Sequence, residues 1–495
     1  MVDINTLNMI EYPKIRRGDK VVNNIDIGRI KRLEDSELPL PEYQKEALNL
    51  IETLCGIIMA QAEKIQELED EINRLKGEKG HPKFKPNPSN PEPPKAGLET
   101  TPKKPWKKSS KIDKIEIDRE ETVRLNKTGL PDDLEFKGYE EKTIQNIVIQ
   151  ADNVLYRMER WYSPSTGMTY TAQLDESLQG TSFGPEIKAL ISYLYYEHRV
   201  TENKIASFLS GFGIYISEGT ISNILIKEEA DQLTEKTESI IEAGLSSGTY
   251  NQIDDTGMKI DHKNGYATIL CNKLFSAFFI NVSKSRETIR NFLTAHLLSL
   301  FIVLVCDDAP QFKELARRLM LCWVHEERHY KKMAPVLDVH KQELERIRRQ
   351  IWDYYKKLAD YKENPTEQKK AGLWDEFDLI FKQETEYDDL NRRLALTFAK
   401  KDELLTVLDY PEVPLHNNLS ENGVREMVIK RKISGGVKTK EGIKAWENNM
   451  SISATCKKLG VSFYVYMVGV FSKNSTIDLP AMIRSKRSRE ARCNA

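Results

Sequence analysis

Apolar residues recur on a seven-residue period from Ile51, with Ile51, Ile58, Ile65 and Ile72 at one position of the repeat and Leu54, Gln61, Leu68 and Leu75 at another. These are the a and d positions of a coiled coil spanning about 45–77. Isoleucine at a with leucine at d favours a parallel dimer, and a polar residue such as Gln61 in the seam fixes register. The intervening Glu63, Lys64, Glu67, Glu69, Asp70 and Arg74 are charged. The stripe is therefore narrow, as in a zipper, rather than broad, as in a helix packed on its own domain.

Further along, alternating segments at 144–149 and 154–162, with turn signals at Ser163-Pro164 and Thr166-Gly167, predict a small β-rich unit over 115–180. From Pro185 the period becomes helical. Ile187, Leu190, Ile191, Leu194 and Tyr195 form one stripe, and Thr201 is placed to cap a helix through Ile205, Phe208 and Leu209. Gly211 and Gly213 then make a turn. Ser217 caps a second short helix whose polar side carries Thr220, Ser222 and Asn223. Helix, glycine turn and helix over 181–245 is the helix-turn-helix plan, with those polar residues as candidate DNA contacts, although an ordinary helical hairpin has the same pattern.

After Tyr250 the runs 250–260, 266–272 and 275–282 predict an antiparallel meander. A helix over 285–296, a buried strand over 300–306, a helix over 311–319 and a strand over 320–324 follow. That is the element order of an RNase H-like fold, assigned here to 246–450 with a helical insertion at about 335–412; residues 451–495 complete the chain. The fold class predicted is multidomain α+β: a coiled coil within 1–80, a linker, the helical region and an RNase H-like α/β catalytic domain.

A length of 495 residues allows about three domains at roughly 150 residues each. The net charge of -1 carries no basic signature, but it averages unlike parts. Residues 81–114 hold eight prolines and nine lysines, including Lys103, Lys104, Lys107 and Lys108, against Glu92, Glu99 and Asp113. Such a run is a disordered cationic linker able to hold a phosphate backbone without reading sequence. Arg484, Lys486, Arg487, Arg489 and Arg492 make a second basic segment. The six cysteines include no Cys-x-x-Cys pair, which argues against a disulfide scaffold or a cysteine zinc site and for a reducing cytoplasm. The segment 1–20 lacks the apolar core of a signal peptide, and the longest apolar run, 297–306, is half a membrane span.

Asp254 lies inside the first strand of the meander, Asp307 directly after the buried strand, and Glu421 on a helix opened by Asn417 and Asn418. In an RNase H-like sheet the first two strands are neighbours, so these carboxylates can converge. Three carboxylates suit two magnesium or manganese ions, hard cations that take oxygen ligands and substrate phosphate together. By spacing alone Asp255 and Asp308 are equally eligible.

These residues resemble the motifs of the insertion sequence 66 family of DDE transposases. Ile253-Asp254-Asp255-Thr256 resembles the segment around the family's first carboxylate, and Val305-Cys306-Asp307-Asp308 with Phe312 resembles the second. Cys322-Trp323-Val324-His325 with Arg328 resembles the Cys-Trp-x-His-x-x-Arg segment, and Asn417-Asn418-x-x-Glu421 with Arg425 and Arg431-Lys432 resembles the signature holding the third carboxylate. The resemblance implies Asp254, Asp307 and Glu421 as catalytic metal ligands, with Arg425, Arg431 and Lys432 against phosphate. It implies as partners the terminal repeats of an element, target DNA, a second copy through the zipper, and accessory proteins of the same element. His416 and Asn422 stand where the signature has aspartate and arginine. No cysteine occurs between Cys55 and Cys271, where the family carries a zinc-binding segment, so zinc is not expected.

Two other readings compete. His325-Glu326-Glu327-Arg328-His329 is a literal His-Glu-x-x-His, which would make the protein a zinc metalloprotease; Pro335 stands where an extended form of that motif needs a third histidine. A zipper plus helix-turn-helix alone would make a non-catalytic DNA-binding regulator, and leaves the strand-rich half unexplained.

Overall fold

The structure is a computed structural model describing residues 40–75, 116–126, 135–295 and 303–493. The heptad segment is one helix, α1 (Leu40–Leu75). Two units are distinguished, one of residues 1–65 and 153–495, the other of 66–152. In the second unit, 116–126 and 135–152 carry neither helix nor strand.

Among the described residues of the segment expected to be β-rich, the strands are those of one hairpin, where β1 (Arg160–Ser163) pairs antiparallel with β2 (Met168–Thr171) around Gly167. Residues 144–149 alternate as a strand does, yet they stay exposed and form no strand. Alternation supplies a face, but a strand also needs a partner for its backbone groups. The helical region follows: α2 (Pro185–Ser192), continued by a π-turn at Tyr193–Glu197, then α3 (Glu202–Ser210), α4 (Glu218–Ile226) and α5 (Ala230–Leu245). Ser217 caps α4, its hydroxyl accepting from the Thr220 amide at 3.1 Å. Thr201 stands at the N-cap position before α3, but its hydroxyl caps no amide and donates to the Asn203 side chain instead.

The central sheet contains β3 (Tyr250–Ile260), β4 (Lys263–Cys271), β5 (Ser276–Asn281), β6 (Val303–Cys306) and β7 (Arg318–Leu321), in the spatial order β5-β4-β3-β6-β7. The first three form the antiparallel meander; β6 lies parallel to β3 and β7 parallel to β6. Every residue of β6 is buried, as its unbroken apolar sequence requires of a strand covered on both faces. The crossover from β5 to β6 contains α6 (Arg286–Ala295), whose Phe292 stacks on Phe279 at 3.9 Å.

The connection from β6 to β7 corrects the sequence expectation. No α-helix forms over 311–319; a single 3₁₀ turn, Pro310–Phe312, leads through irregular chain into β7. Phe312 and Leu315 are buried nonetheless, so the apolar spacing that suggested a helix is used by a loop. Glu314 has φ 63°, outside the right-handed helical region.

Beyond β7, α7 (Trp323–Lys331) leads into a helical insertion of α8 (Asp338–Glu363), α9 (Glu367–Phe381), α10 (Asp388–Phe398) and α11 (Lys401–Leu404). The insertion binds one face of α1. Glu52 accepts from the Leu337 amide at 2.9 Å and from His340 Nδ1 at 3.2 Å, and Asn49 donates to the Glu386 carbonyl at 2.8 Å. The a and d residues Ile51, Leu54, Ile58 and Ile65 lie off that face, between 38% and 63% exposed.

Finally α12 (Asn418–Ser434) packs across β3 and β4, α13 (Lys440–Leu459) covers β5, and α14 (Phe463–Phe471) and α15 (Leu479–Cys493) complete the chain. Along α13, Glu447, Ser451 and Thr455 accept from the amides of Ile280, Phe278 and Ser276 at 2.8, 2.9 and 3.1 Å. A helix spacing of four thus satisfies alternate amides of an edge strand, which closes that edge to pairing. Among the described residues no helix is long and apolar enough to cross a membrane.

Candidate active site

The parallel register of β3 and β6 sets Gln252 beside Val305. Asp254 and Asp307 each follow that pair by two residues, and the charge of Asp307 acts on Asp254. Side chains of β3 then fix the helix that carries Glu421. Gln252 accepts from the amides of Leu419 and Ser420 at 3.0 and 3.4 Å, using donors that a helix start leaves free. Asn417 donates to the Ile253 carbonyl at 2.8 Å. At the other end of α12, the Val437 amide donates to the Lys259 carbonyl at 3.2 Å and the Asp261 amide to the Val437 carbonyl at 2.8 Å. The strand bearing Asp254 therefore holds both ends of the Glu421 helix.

The electrostatics follow from gathering acids in a partly dry place. Burial, followed by the charges of Asp307, Asp255 and Glu421, pushes Asp254 up to about 7, against the hydrogen bond it accepts from the Asp255 amide at 2.8 Å. Burial also raises Asp307, which the Ala309 amide and His325 partly offset. Glu421 Oε1 is buried without a hydrogen-bond partner among the described residues. Asp255 and Asp308 differ: Asp255 accepts from Gln311 at 2.7 Å, and Asp308 pairs with Lys400 at 2.5 Å. Spacing left the two pairs of aspartates open; their partners separate them.

A residue not put forward as a site residue joins the group. His325 on α7 places Nδ1 3.6 Å from Glu421 Oε1, and Cys322, His325 and Glu421 can bring ligand atoms within 4.8 Å of one another. Burial lowers the His325 pKa, with Glu421 opposing, and burial raises that of Cys322. The Cys-Trp-x-His segment was the available signal. The metalloprotease arrangement does not form around it. Glu326, which would be the general base, is buried and engaged by Arg393, Thr397 and Lys400, and His329 sits among Arg393, Lys400 and Lys332.

A family model described as "Transposase IS66 family" matches residues 180–445, more than half of the chain. The chain belongs to this family. It is also 41% identical over 165 residues to "Uncharacterized protein y4jO" of Sinorhizobium fredii (strain NBRC 101917 / NGR234), an alignment of 33% of this chain and 51% of the relative. The chain thus spans about half the length of the curated relative it matches. The family match runs from before α2 into α13 and includes Asp254, Asp307 and Glu421. The residues singled out as DNA contacts lie both inside and outside the matched region.

Those residues are dispersed. Arg425 and Lys432 on α12 are exposed and Arg431 is half-buried, while on α4 Asn223 is exposed and Thr220 and Ser222 are half-buried. Lys103, Lys104, Lys107 and Lys108 lie outside the described residues. Between these groups, Lys430 of α12 is buried, donates to the Tyr195 carbonyl at 3.2 Å and lies 3.1 Å from the centre of that ring. Burial pushes its pKa down to about 7. Together with the Arg199–Glu426 ion pair, it ties the Glu421 helix to the helical region.

Proposed function

We propose that this protein is a DDE-type transposase of RNase H-like fold, which cleaves DNA at the ends of its element and joins the freed ends to target DNA. The observation that supports this most is that Asp307 and Glu421, from separate elements, both act electrostatically on the part-buried Asp254, in a chain of a transposase family. Their carboxylates are hard oxygen donors, gathered with too little positive charge to balance them, and that donor set fits divalent magnesium or manganese. Bound there, two such ions would activate water for cleavage and the 3′-hydroxyl for strand transfer.

The protein's own residues prepare the site. Gln252 and Asn417 orient the first turn of α12, so that Glu421 is held before substrate arrives. His325 stands beside Glu421 and limits the ways its carboxylate can turn. Arg425, Arg431 and Lys432 offer charge-assisted hydrogen bonds to backbone phosphates. Thr220, Ser222 and Asn223 are offered to the element's ends, and the lysines of 81–114 hold phosphate without reading sequence. Two copies pair through the zipper face of α1.

The test is cleavage of duplex DNA carrying the element's ends by the full chain, with magnesium or with chelator. Magnesium-dependent nicking at the element boundary that is lost in Asp307→Asn is the expected result. Nicking that persists in Asp307→Asn would contradict the reading.

A further inference from the structure

A shallow, open depression of about 690 Å³ lies between the start of α6 and the connection that follows β6. Ser285, Arg286, Glu287, Arg290 and Asn291 line one wall, and Pro310, Gln311 and Glu314 the other, so the lining holds two arginines and two glutamates. Its inner end adjoins the carboxylate site. Gln311, four residues beyond Asp307, donates to Asp255 at 2.7 Å, directly beside Asp254.

Arg286 spans this depression. Its Nη1 donates to Glu314 Oε2 at 2.6 Å and its Nη2 to the Pro310 carbonyl at 3.1 Å, while its Nε is buried with no hydrogen-bond partner among the described residues. Glu314, by contrast, is exposed, so its carboxylate can leave for water at little cost. Carboxylate and phosphate present the guanidinium with the same pair of acceptor oxygens. Two lysines neighbour the lining residues in sequence, Lys284 against the Tyr266 ring and Lys313 paired with Asp308.

We propose that this depression binds a backbone phosphate of the DNA strand leaving the active site, with Arg286 as its anchor and Glu314 holding the same guanidinium until DNA displaces it. The inference rests on the transposase reading and assigns part of the path of that substrate's backbone. Arg286 and Glu314 are binding residues and lie outside the carboxylate group, so their effect is on affinity in the absence of metal.

The test is fluorescence anisotropy of the full chain in chelator, with a labelled single strand of mixed sequence and its duplex, over a range of salt. Arg286→Ala is expected to weaken binding roughly five- to tenfold, as loss of one hydrogen-bonded contact does. It should also make the slope of log K against log salt shallower by about 0.7 for the single strand and about 0.9 for the duplex. Arg286→Lys keeps the slope, and Glu314→Gln tightens binding. A mononucleotide competes weakly and equally for wild type and Arg286→Ala. Unchanged affinity and slope in a folded Arg286→Ala, no gain in Glu314→Gln, or Arg286-dependent capture of the mononucleotide would each overturn the proposal. Where wild type still cleaves DNA with magnesium, the phosphate-site assignment alone fails; where wild type neither binds nor cleaves DNA, the transposase reading fails with it.

Discussion

Gln252 and Leu419 join the two halves of the proposed active site: the side-chain carbonyl of Gln252 accepts a 3.0 Å hydrogen bond from the Leu419 amide. Asp254 stands two residues after Gln252, and Glu421 two after Leu419. One buried amide thus sets the spacing between carboxylates that come from opposite ends of the catalytic sequence.

Replacing Gln252 with Leu leaves two amides at the start of α12 without their acceptor. The expected cost is about 1–3 kcal/mol of stability, the penalty of stranding a buried polar group. Cleavage should fall in kcat far more than in KM, because DNA binding does not use this contact. Thermal melting and steady-state cleavage of end DNA check both parts.

Gly436 secures the far end of the same helix. Its φ is 113°, and a Cβ there would lie 2.3 Å from the Lys259 carbonyl oxygen. Gly436→Ala is therefore expected to cost more than the ~1–2 kcal/mol of an unfavourable left-handed backbone alone, with backbone displacement added. Denaturant unfolding of the variant measures it, and cleavage should fall in parallel as α12 shifts.

Asp254 makes the metal-free protein pH-sensitive. A carboxyl raised from 3.8 to about 7 on folding binds its proton better in the folded chain. Its contribution to stability is therefore full below the unfolded pKa and is lost as the pH rises through about 7. Asp254→Asn should remove that loss, raising the melting temperature in chelator at pH 8 by several degrees, since a rise from 3.8 to about 7 is worth up to about 4 kcal/mol. The gain should vanish at pH 4. Melting curves of both proteins at the two pH values provide the check.

Ile58 and Ile65 are exposed along the a positions of α1, whereas Asn49 and Glu52 are bound to the insertion. Ile58→Lys with Ile65→Lys is expected to convert a dimer to a monomer in light scattering, without loss of the α1 contact with the insertion. A mass equal to wild type would remove the zipper from the account of pairing.

Much of this architecture was legible because each element had a single period. The meander, the buried strand before Asp307 and the heptads of α1 announce themselves by apolar spacing. What escaped was contact made by polar side chains. Asn49 and Glu52 occupy outer positions of the heptad, where polarity reads as solvent, yet they dock the helix on the insertion. Gln252, a polar residue buried within β3, was a local sign of the α12 anchor but named no partner. The helix expected over 311–319 failed for the opposite reason, since its apolar spacing was real but Phe312 and Leu315 are buried from a loop. Spacing could not separate Asp254 and Asp307 from Asp255 and Asp308, because only the partners Gln311 and Lys400, distant in sequence or fold, distinguish them.

The central claim is that Glu421 completes the catalytic carboxylate set with Asp254 and Asp307. Its most direct test is magnesium-dependent cleavage and strand transfer by Glu421→Gln on DNA carrying the element's ends. The substitution keeps the side chain's shape and its place on α12 while removing the charge. The account predicts DNA binding near wild type, with cleavage and strand transfer reduced by at least ~10²-fold, the scale of losing one electrostatic contact to the reacting group. Full cleavage and strand transfer by a Glu421→Gln protein that binds the same DNA would contradict it.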